Sequence, residues 1–351
     1  MHLKLAFYYF MKYYMRTFIQ LFFGRVEVVG KKSIPVGKPI IFSCNHQNAF
    51  MDALVIGAIA PTRITSMTRA DVFNTPLRWF MDALQMLPIY RMRDGIDQLI
   101  KNEVIFKKIQ SLLELDKAIL VFSEGNHGNN YFLRPLTKGS SRMALEALDK
   151  IPDKDIQIVP VGINYFHHQR PGNKLCVVFG EAIAAQDHYP AYQTHKVVGA
   201  NQLKSAISDG MKKCLLIPEE TEDYMAKRDF INASNERLGF KALQTAISHH
   251  DEKLATKKTR YFLLYIGKVI GIFNFLPLLV LQVILKPIRD IVFYGSLKYA
   301  AGLIAFPIWY IALFFGFSAA MDSETAALVT FGSFAMLFLR LKILRWANPQ
   351  H

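Results

Sequence analysis

"PIIFSCNHQNAFMDALVIGAI", residues 39 to 59, runs from an apolar strand through an amide-rich turn into an apolar helix. Ile40–Ser43 reads as a strand because β-branched and aromatic residues follow Pro39 without a break. Helical spacing then covers Asp52–Ile59. Strand, loop and helix make half of a βαβ unit, and the alternation continues downstream. Candidate strands follow at Ala118–Phe122, Ile156–Val161 and Leu175–Phe179, with helical patterns at Ile96–Glu114 and Ser140–Leu148. Residues 25–218 therefore read as an α/β domain with a largely parallel sheet flanked by helices.

The turn carries chemistry. A neutral imidazole takes a proton from a hydroxyl near neutral pH when a carboxylate holds its other ring nitrogen. With Asp52 in the first turn of the helix, the spacer lets its carboxylate reach back to His46. The sequence has no G-x-S-x-G elbow, and no Cys lies in an evident activating setting. The pair lacks a nucleophile of its own, so the attacking hydroxyl belongs to the substrate.

Three further stretches bear on the site. "LPIYRMRDG", residues 87 to 95, presents Arg91 and Arg93. "LVFSEGNHGNNYFLRPLTKGSSRMAL", residues 120 to 145, brings Glu124 and Gly125 off a strand, then Arg134, Lys138 and Gly139 up to a helix start. "IVPVGINY", residues 158 to 165, is a strand that ends in polar residues. Several cations beside a helix N-terminus with free N–H groups would make a phosphate site.

In this order the blocks resemble those of the glycerolipid acyltransferases: Asn-His then Asp, an arginine-bearing block, Phe-Pro-Glu-Gly and Val-Pro-Val. Here they read Asn45-His46…Asp52, Pro88-Ile89-Tyr90-Arg91, Phe122-Ser123-Glu124-Gly125 and Val159-Pro160-Val161. His46 and Asp52 are separated by five residues rather than the commoner four. That spacing, with "LRPLTKG", is similar to branches that act on glycerol-3-phosphate or dihydroxyacetone phosphate. Ser123 stands where proline is usual, and Asn126-His127-Gly128 also departs from the pattern.

The resemblance implies that His46 is the general base and Asp52 its orienting carboxylate. It places Arg91 on the acceptor phosphate, Glu124 and Gly125 around the polyol, and Asn45 within the substrate site. Arg93, Arg134 and Lys138 are further candidates for phosphate or for the acyl carrier. The donor it implies is an acyl thioester, acyl-CoA or acyl-ACP, or else an acyl phosphate, with no cofactor and no metal. Glu124 and His127 have a metal-like Glu-x-x-His spacing, but no third ligand cluster accompanies them. Two rival readings stand beside this one: acylation of another lyso- or amino-acid lipid, and a non-catalytic lipid-binding protein of the same fold. Retention of both His46 and Asp52 argues against the second.

The rest of the chain points to a bilayer. Hydrophobic residues make up 52% of the 351 and the formal net charge is +14, which suits anionic lipid or phosphate-bearing substrates. No nucleic-acid-binding signature appears, so no nucleic acid partner is expected. Cys44, Cys176 and Cys214 are scattered, without a disulfide framework, as suits a reducing cytosolic face.

Residues 1–24 read as an interfacial amphipathic helix. Leu3, Phe7, Phe10, Tyr14, Phe18 and Leu21 share one face, and Lys4, Lys12 and Arg16 lie on another, placed to meet headgroups. Residues 219–258 read as a solvated, polar helical linker, and His167-His168 as a solvated pair. Residues 259–351 read as a membrane region. Tyr299 to Met321 and Thr325 to Leu339 carry no formal charge, whereas Tyr261 to Leu285 contains Lys268 and is broken at "FNFLP", residues 273 to 277. Basic clusters lie before residue 261, after residue 285 and at the end of the chain, and the one acidic loop is "MDSE" at 321–324. This charge pattern predicts a re-entrant hairpin followed by two spans, with the catalytic domain on the cytoplasmic face.

Overall fold

The computed structural model describes residues 2–70, 73, 78–90, 101–233, 238–249 and 260–347. Arg91, Arg93 and the first turn of the predicted helix Ile96–Glu114 lie outside the described residues. The helices are α1 (His2–Phe22), α2 (Phe50–Ile59), α3 (Arg78–Ala83), α4 (Lys101–Glu114), α5 (Gly139–Leu148), α6 (Tyr189–Thr194), α7 (Lys196–Lys213), α8 (Tyr224–Ala233), α9 (Phe240–Ser248), α10 (Tyr261–Ile270), α11 (Phe275–Leu285), α12 (Ile291–Ser318) and α13 (Ser323–Ala347). The strands are β1 (Arg25–Val29), β2 (Ile40–Cys44), β3 (Ile64–Arg69), β4 (Met86–Ile89), β5 (Ala118–Phe122), β6 (Gln157–Tyr165), β7 (Lys174–Phe179) and β8 (Ile183–Ala184).

The strands form one sheet in the order β1-β7-β6-β2-β5-β3-β4, with β8 beside β6. Only β6 pairs antiparallel, with β7 and β8, so the sheet is largely parallel, as the sequence predicts. Central β2 is buried along its whole length, which is why it reads as an unbroken apolar run. Its side chains alternate between the faces. Phe42 and Cys44 join a core with α1 and α2, while Ile41 joins one with α4, α5 and α7.

The polar stretch 219–258 differs from the expected solvated linker. Ile231, Phe240, Leu243 and Ile247 on α8 and α9 bury against Cys176 and Val178 of β7. Apolar residues at helical spacing inside a charged sequence give each helix one packing face. The fully buried Lys174 ties this layer down: its Nζ pairs with Glu27 at 2.5 Å and donates to the carbonyl of Leu238 at 2.5 Å.

Helix α1 packs one stripe on the protein. Met15, Ile19 and Phe23 are buried, while Leu3, Phe10 and Tyr13 are exposed. Lys12 turns inward instead of toward headgroups. Its Nζ donates to the carbonyls of Ala60 (2.8 Å) and Thr62 (3.0 Å), where a cation meets the C-terminal dipole of α2.

By length and hydropathy, Tyr261–Leu285, Ile291–Ser318 and Ser323–Leu344 are apolar enough to cross a membrane. The first of these is not one continuous helix. A 3₁₀ turn at Gly271–Asn274 separates α10 from α11. The Leu278 side chain lies 3.5 Å from the position a Gly271 Cβ would take. Residues seven apart on a straight helix stand roughly 10 Å apart along the axis, so the chain bends between them. The turn is pinned by Asn274 Nδ2 to the carbonyl of Ser333 (2.9 Å) and by Tyr310 Oη to Asn274 Oδ1 (2.9 Å).

Candidate active site

Sheet register assembles the site. Cys44 of β2 stands beside Phe122 of parallel β5 and beside Val161 of parallel β6. His46 and Glu124 are therefore each two residues past one register pair, and both leave the carboxyl edge of the sheet, where open α/β folds place their ligands. Tyr165 ends β6 at the same edge.

Asp52 is fully buried and all its hydrogen bonds are accepted ones. Oδ2 lies 2.7 Å from His46 Nδ1 and accepts from the backbone N–H groups of Gln47 (2.8 Å) and Asn48 (2.9 Å). Oδ1 accepts from the hydroxyl of Tyr165 at 2.6 Å. A carboxylate surrounded by donors must receive a proton from Nδ1 as well, so His46 is the Nδ1–H tautomer and Nε2 keeps its lone pair. Burial, and then the charge of Asp52, push the Tyr165 pKa up, so its hydroxyl stays a donor. The His46 ring stacks on Phe122 with centroids 4.0 Å apart and planes 13° off parallel. Its side chain is 16% exposed, open where Asp52 is sealed.

The loop between base and carboxylate is held in a costly shape. Ala49 has φ 43° and ψ −132°, a region L-residues avoid. It is the third of the five spacer residues and the last before α2 begins.

Glu124 supports the base from below. Oε2 accepts from the His46 backbone N–H (3.0 Å) and from the Arg134 guanidinium (2.7 Å), and Oε1 accepts from the Arg134 backbone N–H (3.0 Å). Arg134 also donates to the carbonyls of His46 and Asn126. The structure thus turns Glu124 and Arg134 toward each other and toward the His46 backbone. Asn45 is buried and bonds the Ile163 backbone from both ends of its amide (2.7 and 3.0 Å), locking β2 to β6. Gly125 takes φ 76° and lies so close to Thr137 that a Cβ would meet its methyl at 2.7 Å. Lys138 stands exposed at the N-cap of α5. Ser123, in the usual proline position, joins a buried hydroxyl chain with Ser43 (2.6 Å) and Ser140 (3.0 Å).

Sequence reasoning missed Tyr165, weighed His127 only as a metal ligand and read His168 as solvated. His168 is buried, not solvated: its Nε2 meets Gln47 Oε1 at 3.2 Å, and its ring packs edge-on to Tyr131. The His127 ring stands perpendicular to His46 at 5.6 Å and to Phe293 of α12 at 4.9 Å. Burial, then the neighbouring His46, lower its pKa. Gly295 of α12 presses against Asn48 and the His168 carbonyl, so the start of α12 roofs this loop. The three cysteines are buried thiols, and burial pushes Cys176 and Cys214 up to about 12.

Residues 25–164 match the family model described as Acyltransferase. This segment is similar to acyltransferase domains. The match spans the His46–Asp52 loop, Glu124 and β6 up to Asn164. Glycerol-3-phosphate O-acyltransferase 1 of Saccharomyces cerevisiae is 28% identical over 167 residues, covering 46% of this chain and 21% of that protein. Human 1-acyl-sn-glycerol-3-phosphate acyltransferase alpha is 25% identical over 151 residues, covering 42% of this chain and 48% of that one. The chain thus spans about half or less of the length of these curated relatives. The crystal structure of the 1-acyl-sn-glycerophosphate acyltransferase PlsC from Thermotoga maritima superposes on 56% of this chain and 78% of that one, with 20% identity and a TM-score of 0.40. The matched segment holds the His46–Asp52 pair, and the start of α12, outside that segment, roofs the loop that carries it.

Proposed function

We propose that this chain is a membrane-bound O-acyltransferase that moves a fatty acyl group from an acyl thioester to a hydroxyl of a glycerol-phosphate-type acceptor. The observation that carries it is the His46–Asp52 pair: Nδ1 is committed to a saturated carboxylate and Nε2 is left as the base. His46 Nε2 takes the proton of the acceptor hydroxyl as its oxygen adds to the thioester carbonyl. Asp52 stabilises the imidazolium that forms. As the tetrahedral intermediate collapses, the C–S bond breaks and His46 returns the proton to the leaving sulfur. The products are an ester and a free thiol.

Glycerol-3-phosphate and its 1-acyl derivative are the acceptors favoured by the names of both relatives. Arg91 is assigned to the acceptor phosphate, with Lys138 and Arg93 as further cations. The bilayer is the third partner. Here α10 and α11 form a re-entrant hairpin, α12 and α13 cross, and the basic clusters face the cytoplasm with the catalytic domain. The test is to incubate membranes containing the full chain with labelled acyl-CoA and acyl-ACP and a panel of acceptors. The expected product is labelled lysophosphatidate or phosphatidate that disappears in His46→Ala. Label confined to acceptors without phosphate would replace the substrate assignment. No transfer to any acceptor would sink the reading.

A further inference from the structure

A cavity of about 740 Å³ lies between the end of α1 and helices α10, α11, α12 and α13. Its lining contains none of His46, Asp52, Phe122, Glu124 or His127. The volume falls in the range of roughly 300–1,000 Å³ that holds a small molecule. Phe22, Leu281, Phe306 and Phe338 represent its mainly apolar and aromatic wall. Lys268, Lys298 and Arg340 also line it, and none of the lining residues is acidic.

Cations in apolar helices are costly unless something answers their charge. Lys298 Nζ donates to the carbonyl of Gln169 at 2.9 Å and lies 4.7 Å from the Tyr294 ring centroid, contacts that leave its charge unneutralised. Arg340 is wedged against Gly271, and its Nε is buried with no hydrogen-bond partner among the described residues. Arg340 and Lys298 line the same cavity. Both cations stand at the end of the bundle nearer the catalytic domain. Arg340 is in the last two turns of α13, where Arg260 N–H bonds the carbonyl of Ala347, and Lys298 is in the first turns of α12. Past them the wall runs on to Tyr310 and Phe334, deeper in the apolar bundle.

A charged end and an apolar end select an amphiphile. We propose that this cavity is a second lipid site, separate from the acyl-transfer centre, which holds one anionic phospholipid. Its phosphate sits between Lys298 and Arg340 with Lys268 at the mouth, and its acyl chains run along α12 and α13. Apolar walls exclude a hydrated free phosphate, and two cations lining one cavity favour a phosphomonoester over a zwitterionic head. The proposal stands whether or not the acyl-transfer reading does.

The test is native mass spectrometry of the purified full chain after equilibration with phosphatidate, phosphatidylcholine, palmitate or inorganic phosphate. The wild type should retain one phosphatidate per chain, at least about tenfold over phosphatidylcholine. Lys298→Gln with Arg340→Gln removes the head site. Gly302→Phe fills the cavity and leaves the cations in place. Each should cut retention about tenfold or more in protein whose thermal unfolding stays cooperative. Retention that survives either change overturns the site, as does equal retention of phosphatidylcholine or palmitate, or displacement of the lipid by inorganic phosphate. If the double variant does not fold, Gly302→Phe alone decides the outcome.

Discussion

The hydroxyl of Tyr165 donates to Oδ1 of Asp52 at 2.6 Å, the oxygen that His46 does not use. The two residues are 113 positions apart and meet because β6 runs beside β2 in parallel register. Tyr165 fixes the roll of the carboxylate, so that Oδ2 stays in line with the imidazole. Tyr165→Phe removes that donor without changing the ring's packing. We expect kcat to fall about 10–100-fold, in the range seen for lost outer hydrogen bonds around a site, with the acceptor KM little changed. Steady-state kinetics on folded variant protein check it. A variant with wild-type kcat would show that the backbone donors position Asp52 unaided.

The His46–Asp52 pair was legible in the sequence because its geometry is local: six positions across one turn. Glu124 was legible as a motif, but its job was not. Only the Cys44–Phe122 register reveals that its carboxylate holds the His46 backbone and Arg134. The central strands β2, β5, β6 and β7 announced themselves as apolar runs, since both their faces are covered. β1, β3 and β4 escaped notice: β1 and β4 are edge strands, and β3, "ITSMTR", mixes polar residues into a half-covered position. The helix break at "FNFLP", residues 273 to 277, could be read from Asn274 and Pro277. The cavity beside it could not, because packing between distant helices makes it.

Asp52→Asn should cost far more than Tyr165→Phe. An Asn side chain has one acceptor oxygen for donors that now converge on two, and its NH₂ must face either the Tyr165 hydroxyl or the two backbone N–H groups. If the NH₂ turns to His46, the imidazole is forced into the Nε2–H tautomer and the base is lost. Turnover should fall about 10³–10⁴-fold. Single-turnover acyl transfer reads this directly, and near-full activity would remove Asp52 from the mechanism.

Ala49→Gly should stabilise the protein. At φ 43° the Ala Cβ is strained by about 1–2 kcal/mol, and glycine returns about 0.5–1 of that in unfolded-chain entropy. The net expectation is a gain of about 0.5–1 kcal/mol in thermal or denaturant unfolding, with turnover kept. Ala49→Val should lose stability instead. Destabilisation by glycine would mean that the loop needs the Ala methyl more than it needs relief from strain.

His168 makes stability fall with acid. Burial, opposed in part by Asp52 and reinforced by Arg228, lowers its pKa to about 4 in the folded chain, against 6.5 for an unconstrained histidine. Between those values the unfolded state binds more protons, so stability is complete above about pH 6.5 and drains away as the pH falls to 4. The loss is roughly 3 kcal/mol for this group. Unfolding midpoints of wild type and His168→Gln, measured from pH 7.5 to 4.5, should converge as the pH drops. Parallel curves would contradict the buried neutral imidazole.

Gly125→Ala separates two costs at one position. The positive φ of 76° imposes about 1–2 kcal/mol on any L-residue, and the new methyl would also meet Thr137 Cγ2 at 2.7 Å. Thr137→Ser removes that methyl but keeps the hydroxyl that donates to the Ser123 carbonyl at 2.9 Å. The double variant should therefore recover the steric share of the loss and retain the backbone share, a coupling of about 1 kcal/mol or more in a double-mutant cycle. Additive losses would mean that the loop at Glu124 shifts to admit the methyl, and turnover should then fall with it because the His46 backbone hangs on that carboxylate.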